Sequence, residues 1–320
     1  MSQFNANTSG AEVVAAFPDR VERKTFVITG PTAGSLGSQT AIFIAAGKPS
    51  NIILLGRTAS KVAPVISEIQ TISPSTKAQF IPLDLTRFDS IRAAAATINS
   101  TVDKIDVLIN NAGIMGVSKY TLTPEGIESQ FAANHIGHFL LTSLLMPKLE
   151  AAGNGARIVN LSSSGHQLGE VRLDDYNFDD GKDYDPWAAY GQSKTANILF
   201  TVSLAEKLAS RGILAFSVHP GSIADTQLGT HVEMSMWGHV SQLFVDRGFP
   251  NPMMSPLKSL AAGTSSTLYA ALDPSLKASD SGSYIADATI TETPDYAHNP
   301  TIAEKLWILS EKIVGEKFQL

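Results

Sequence analysis

The 320-residue chain has no cysteine. Disulfides, thiolate nucleophiles and thiolate zinc sites are therefore excluded. Charge is sparse, at 17% of residues, and 30 acidic against 24 basic side chains leave a net charge of −6. That balance argues against nucleic acid or an anionic membrane as the main partner. Every apolar run is broken by Gly, Pro or a polar residue before membrane-spanning length. The opening MSQFNANTSGAEVVAAFPDRVERK lacks the basic start and long apolar core of a secretory signal. A cytoplasmic protein with no membrane span is the expectation. No internal repeat or low-complexity linker divides the chain.

What is present is an alternating pattern. Apolar runs at 24–29, 51–56, 77–83, 104–110, 156–162 and 213–219 read as strands, and a short YIA run near 285 as a last one. Helical stretches fall at 38–46, 59–72, 90–100, 126–149 and 190–210. The strands are apolar on both faces, as a parallel sheet covered by helices requires. The pattern predicts one three-layer, doubly wound α/β domain over 24–320, with a mostly parallel sheet of seven strands. A mixed α+β fold is the alternative. Residues 1–23 read as an N-terminal extension with a short helix at 12–17 and frayed residues before it.

TGPTAGSLG, 29–37, lies between the first strand and the first helix. Gly30, Gly34 and Gly37 permit a tight turn and close backbone approach. Ser35 and Leu36 stand where a helix N-terminus would face a pyrophosphate. The Lys-Ser/Thr pair of a Walker loop is missing. The second strand ends in LLGRTASK, with no carboxylate for the ribose hydroxyls of NAD. Arg57 suits a 2′-phosphate instead, which favours NADP(H) and leaves NAD(H) as the alternative; an arginine facing solvent is the plain reading. Asp84 and Leu85 follow the third strand, where Asp84 serves either an adenine amino group or a helix cap shared with Thr86. Asn111, Ala112 and Gly113 in NNAG end the fourth strand and would let the chain lie flat against a cofactor.

Tyr190 and Lys194, in YGQSK, share a helix face. An ammonium beside a phenol lowers its pKa, so such a tyrosine exchanges a proton with an alcohol or carbonyl oxygen. Ser163, ending the fifth strand in NLSSSGH, would bond the same oxygen.

In order and spacing, TGPTAGSLG, NNAG, NHIGHFLLT at 134–142, Ser163, YGQSK and HPG at 219–221 resemble the short-chain dehydrogenase/reductase family. The likeness is strong over 24–221. Within that family RIVNLSSSGH and YGQSKTANILF look most like the retinol-dehydrogenase-like group and related fungal reductases. The resemblance implies a Rossmann-like fold, a nicotinamide cofactor, an alcohol or carbonyl substrate and a tetrad of Asn134, Ser163, Tyr190 and Lys194. It also implies cofactor contacts from Pro220, Gly221 and Thr226, and association through long helices in many members. One departure stands out: two residues separate Gly34 from Gly37, where the family turn has one. A local backbone bond is the other reading of Asn134. A nucleotide-sensing protein without catalysis is the rival on the same fold.

Residues 222–256 break the strand-helix rhythm and carry Met234, Met236, Trp237, Phe244, Phe249, Met253 and Met254. They read either as a lid on a hydrophobic substrate or as a satellite core or oligomer contact. Met234, Trp237, Trp187 and His166 are candidate substrate-lining residues. The acidic stretch 165–187 reads as mostly solvent-facing. His135 and His138 lack a third ligand partner, so packing or local bonding is expected and no metal.

Overall fold

The computed structural model describes residues 3–223 and 226–319. Ala224 and Asp225, inside the proposed lid, lie outside these, as do Met1, Ser2 and Leu320. Six strands alternate with helices: β1 Thr25–Thr29, β2 Asn51–Gly56, β3 Lys77–Pro82, β4 Val107–Asn110, β5 Arg157–Leu161 and β6 Leu214–His219. With β7 Tyr284–Ala286 they form a parallel sheet ordered 3-2-1-4-5-6-7. Reversal of strand order between β1 and β4 opens a crevice at their carboxyl ends, where such sheets bind ligands.

The continuous apolar runs are explained by burial on both faces. Val27, Ile53, Leu108 and Ile158 point to one helical layer, whereas Phe26, Ile52, Val107 and Val159 point to the other. The single Rossmann-like α/β sheet is as expected.

Several boundaries differ from expectation. The sheet has eight strands rather than seven, because β8 Thr289–Thr291 pairs antiparallel with β7. The turn between them uses Asp287 and Ala288 at φ 53° and 54°, without the Asn-Gly pair that marks such a turn in a sequence. The long helix begins at Ser129, not 126, because buried Glu128 accepts hydrogen bonds from the Gln130 and Phe131 amides, each at 2.8 Å. It passes through a π-helical stretch, Ala132–Ile136, before continuing as Gly137–Ala151. The tyrosine-bearing helix is Pro186–Leu208, starting four residues early, because Asp185 accepts from the Trp187 and Ala188 amides and Pro186 supplies the first turn.

From Phe4 onward the N-terminal segment is packed rather than frayed. Ser9 and Glu12 form a reciprocal cap on the helix Gly10–Ala16. Phe4 is buried edge-on against Phe17 and Tyr269. Among the described residues no helix is long and apolar enough to cross a membrane.

A side chain at Gly10 would overlap Thr264 Oγ1 and come within 2.5 Å of Leu268 Cδ1. Gly10→Val should therefore lift this helix from the body at a cost of about 1–3 kcal/mol, read as a lowered Tm; an unchanged Tm would show that the docking contributes nothing.

Candidate active site

A cleft of about 780 Å³ lies along the carboxyl ends of the strands. The loop after β1 forms one wall. Gly30 has φ +70°, and a Cβ there would sit 2.9 Å from the Ala112 Cα. Gly34, at φ +78°, supplies a left-handed residue in open space. The extra residue of the loop is absorbed by Ser35. It becomes the N-cap of the helix Leu36–Ala46, accepting from the Ser38 amide at 3.2 Å and donating to the Gly30 carbonyl at 3.1 Å. Gly37 thus falls inside the helix, where a Cβ would approach the Gly30 oxygen to 2.7 Å. Gly30, Ser35 and Leu36 line the cleft; Gly34 and Gly37 do not.

Arg57 and Lys61 are exposed at the β2 end of the cleft. Among the described residues no carboxylate pairs with either. Asp84 and Leu85 also line it, but Asp84 Oδ1 already accepts from the Thr86 amide at 3.0 Å and hydroxyl at 2.6 Å. This carboxylate shapes its own turn. Asn111, Ala112, Gly113, Pro220, Gly221 and Thr226 complete the expected lining.

At the floor, Tyr190 and Lys194 are almost wholly buried. Ser163 is the polar side chain that acts on the Tyr190 hydroxyl, pulling its pKa down. Of the three consecutive serines only Ser163 meets it, because Ser162 donates to the Lys194 carbonyl at 2.8 Å and the Ser164 amide turns to His219. Lys194 Nζ donates to the Leu161 carbonyl at 3.1 Å and lies 5.6 Å from the Tyr190 ring centre. Burial pushes Lys194 down to about 8 and Tyr190 up to about 12, with the Ser163 bond pulling Tyr190 back. The phenol is thus raised where a lowering by Lys194 was expected: burial is the larger cause, and Ser163 is what offsets it. Asn134 stands behind, in the π turn. Its Oδ1 accepts from the Ile114 amide at 2.8 Å; its Nδ2 donates to the Ile114 carbonyl at 2.9 Å and to Ser193 Oγ at 2.8 Å. It shapes the site without lining the cleft.

The substrate candidates divide. Trp187 and Trp237 line the cleft. Met234 does not: it opens the helix Met234–Asp246 facing outward, 84% exposed. His166 does not either, because its Nδ1 is held by the Ser163 carbonyl at 2.6 Å and its ring packs on Tyr284. Phe244 and Met253 of the expected lid stretch join the wall, and so do Met115, Leu168 and Val240, which the sequence had not singled out for it. The stretch 165–187 contributes Gly165, Leu168 and Trp187, while most of its carboxylates are exposed or half-buried. Among the described residues no cluster of potential ligands could hold a metal.

The model of the short chain dehydrogenase family matches residues 24–177. Retinol dehydrogenase 13 from Homo sapiens is 36% identical over 299 residues, covering 91% of this chain and 85% of that protein. The chain belongs to the short-chain dehydrogenase family. Within it the likeness is to the retinol-dehydrogenase-like group, and to oxidoreductase fscI from Fusarium equiseti, 34% identical over 68% of this chain and 94% of that protein. A solved structure of an uncharacterized protein from Mycobacterium paratuberculosis is 32% identical with TM-score 0.72, covering 96% of this chain and 98% of that one. The NADPH-bound carbonyl reductase from chicken fatty liver shares the fold alone, at 20% identity and TM-score 0.60 over 85% of this chain and 99% of its own.

Three histidines of this dehydrogenase-family fold, His135, His138 and His166, are buried, and His219 is half-buried at the cleft. Desolvation lowers His135 to about 3 and His138, His166 and His219 to about 4. Below about pH 6.5 the unfolded chain binds protons that the folded one refuses. Their contribution is complete above that pH and is lost as pH falls toward 4, by up to about 1.4 kcal/mol per pH unit for each ring. Tm should decline steadily from pH 7 to pH 5; a flat profile would contradict their neutral burial.

Proposed function

We propose that the chain is an NADP(H)-dependent oxidoreductase acting on a fairly apolar ketone or aldehyde and the matching alcohol. The observation that carries this reading is that Tyr190, Ser163 and Lys194 come together at the floor of an apolar-walled cleft, with Lys194 Nζ 5.6 Å from the Tyr190 ring centre. The residues present fit a dinucleotide: Gly30 and Gly37 leave no room for a Cβ, and Ser35 and Leu36 open a helix N-terminus onto the cleft. When bound, reduced nicotinamide supplies the hydride. Tyr190, protonated at neutral pH, gives its proton to the carbonyl oxygen, and Ser163 donates a hydrogen bond to that same oxygen. Lys194 turns its ammonium toward the cofactor side and favours the phenolate left behind. Asn134 holds the 112–114 backbone against them. A nucleotide sensor has no use for a proton donor here.

Arg57 and Lys61 place two cations where β2 ends, and no carboxylate follows that strand to hold the ribose hydroxyls of NAD. Met115, Leu168, Trp187, Trp237, Val240 and Phe244 suit a flat, bulky apolar substrate, and a retinoid is consistent with the names of the relatives. Residues 222–256 serve as the lid in this reading. A bridge between Ile223 and Lys258 closes their base, and Val240 and Phe244 bury against Trp187 and Tyr190.

With retinal and NADPH, Tyr190→Phe should lower kcat about 10²–10⁴-fold while NADPH still binds; retained turnover would remove the assignment. Because the phenol is raised, retinal reduction should stay level through neutrality, whereas retinol oxidation should climb with pH. The double change Arg57→Ala, Lys61→Ala should weaken NADPH about 10–100-fold and leave NADH unchanged. Preserved NADPH preference would sink the phosphate argument.

A further inference from the structure

His138 takes no part in the proton transfer proposed above, yet it is bonded on both ring nitrogens beside it. It opens the helix Gly137–Ala151 and is 2% exposed. Its Nδ1 lies 3.0 Å from the Asn134 carbonyl oxygen. A carbonyl only accepts, so Nδ1 carries a proton. Burial and the charge of Lys194 keep the ring neutral, so Nε2 is an acceptor. It lies 2.9 Å from Thr29 Oγ1, whose hydroxyl therefore donates to it. Thr29 Oγ1 in turn accepts from the Ala112 amide at 2.9 Å. The result is a chain of bonds running in one direction, from the Ala112 amide through Thr29 and His138 to the Asn134 carbonyl.

The same Asn134 holds Ile114 by both its amide and its carbonyl. Residues 112–114 are thus anchored at one end by Thr29 and at the other by Asn134, and His138 is the only side chain bonded to both anchors among the described residues. Gly113 lies between them, where an added Cβ would be 3.2 Å from Asn134 Oδ1 and 3.4 Å from Lys194 Nζ. Any drift of this segment would open or close the space beside the ammonium.

We propose that His138 is a positioning residue that locks the Asn134 turn to β1, and so fixes the 112–114 backbone against Lys194. The role in turnover rests on the reading of Tyr190 and Lys194 given above; the mechanical coupling does not. Few side chains meet the geometry. A neutral imidazole presents a donor and an acceptor on opposite sides of a rigid ring, and the site needs one for a carbonyl and the other for a hydroxyl. Asparagine reaches only the nearer partner, and phenylalanine fills the volume and bonds neither. His135, three residues earlier, makes the contrast. It bonds Ser310 on a distant helix and packs among Phe131, Phe139 and Phe200, so it serves the core alone.

The test uses the full chain. Nitrogen-15 NMR of the His138 ring, assigned by its loss in His138→Phe, should show the neutral Nδ1–H tautomer; an Nε2–H tautomer overturns the proposal. Amide hydrogen exchange should accelerate at least tenfold at Ala112 and Ile114 in His138→Phe, with β1 and β5 amides unchanged. His138→Asn should restore protection at Ile114. Unchanged exchange at both amides, or equal acceleration in all strands, overturns the coupling and leaves simple packing. If His138→Phe does not fold, the wild-type tautomer and His138→Asn decide the matter. In the retinal assay His138→Phe should lose at least tenfold in kcat with the affinity for NADPH, measured by fluorescence titration, altered less than threefold. A Tyr190→Phe protein measured alongside separates the two ideas. If it stays active while the exchange pattern holds, the acid–base reading fails and the positioning role stands.

Discussion

The ammonium of Lys194 is buried at the end of β5 with the Leu161 carbonyl as its hydrogen-bond acceptor, and among the described residues no carboxylate pairs with it. An unpaired cation away from water is costly. The fold meets that cost by surrounding it with dipoles rather than charges. Leu161 offers a carbonyl from a strand end, and Asn134 brings its carboxamide close through a helix that loosens into a π turn. Such interruptions of a helix ladder free backbone groups for other partners. The buried phenol of Tyr190 stands next to the same cation, and with Ser163 it lines the cleft.

Polar order extends away from that point. Asn110 donates to Thr142 and Asn160, and Asn160 donates to Thr201. These side chains fasten β4 and β5 to the helices that carry Asn134 and Tyr190. The strand ends therefore hold their separation, and a site built across four elements keeps its geometry. Glycine serves the same end where backbone meets backbone. Gly37 against Gly30, and Gly30 against Ala112, bring the phosphate-facing loop close to the NNAG segment. The chemistry of the site thus rests on a tightly bonded frame, while much of the apolar wall above it comes from the segment whose base the Ile223–Lys258 bridge closes.

Much of this was legible in the residues. The alternation of apolar runs with helical stretches located six strands and the layers around them, because burial on both faces leaves a continuous apolar signature. Tyr190 and Lys194 were legible as a pair because four residues make one helical turn. Less was legible where partners come from elsewhere in the chain. The eighth strand hid because Asp287-Ala288 is an uncommon turn pair. Glu128 gave no sign that it would be buried as a cap. His138 was expected to pack or to bond locally, as it does to Asn134, and only its distance to Thr29, more than a hundred positions earlier, shows its second partner. The direction of the Tyr190 shift was also misread, since a neighbouring charge can be seen in a sequence and desolvation cannot.

By itself, the order of residues determined the fold class, the crevice edge and the set of groups delivered to it. Those follow from local periodicity and from turns spanning a few positions. Tertiary structure alone decided which side chains face the cleft and which turn away, as Trp237 and Met234 do three residues apart on one helix. It also decided the protonation of the buried groups. Both depend on how much water and which dipoles surround an atom, and those are contributed by segments far away along the chain.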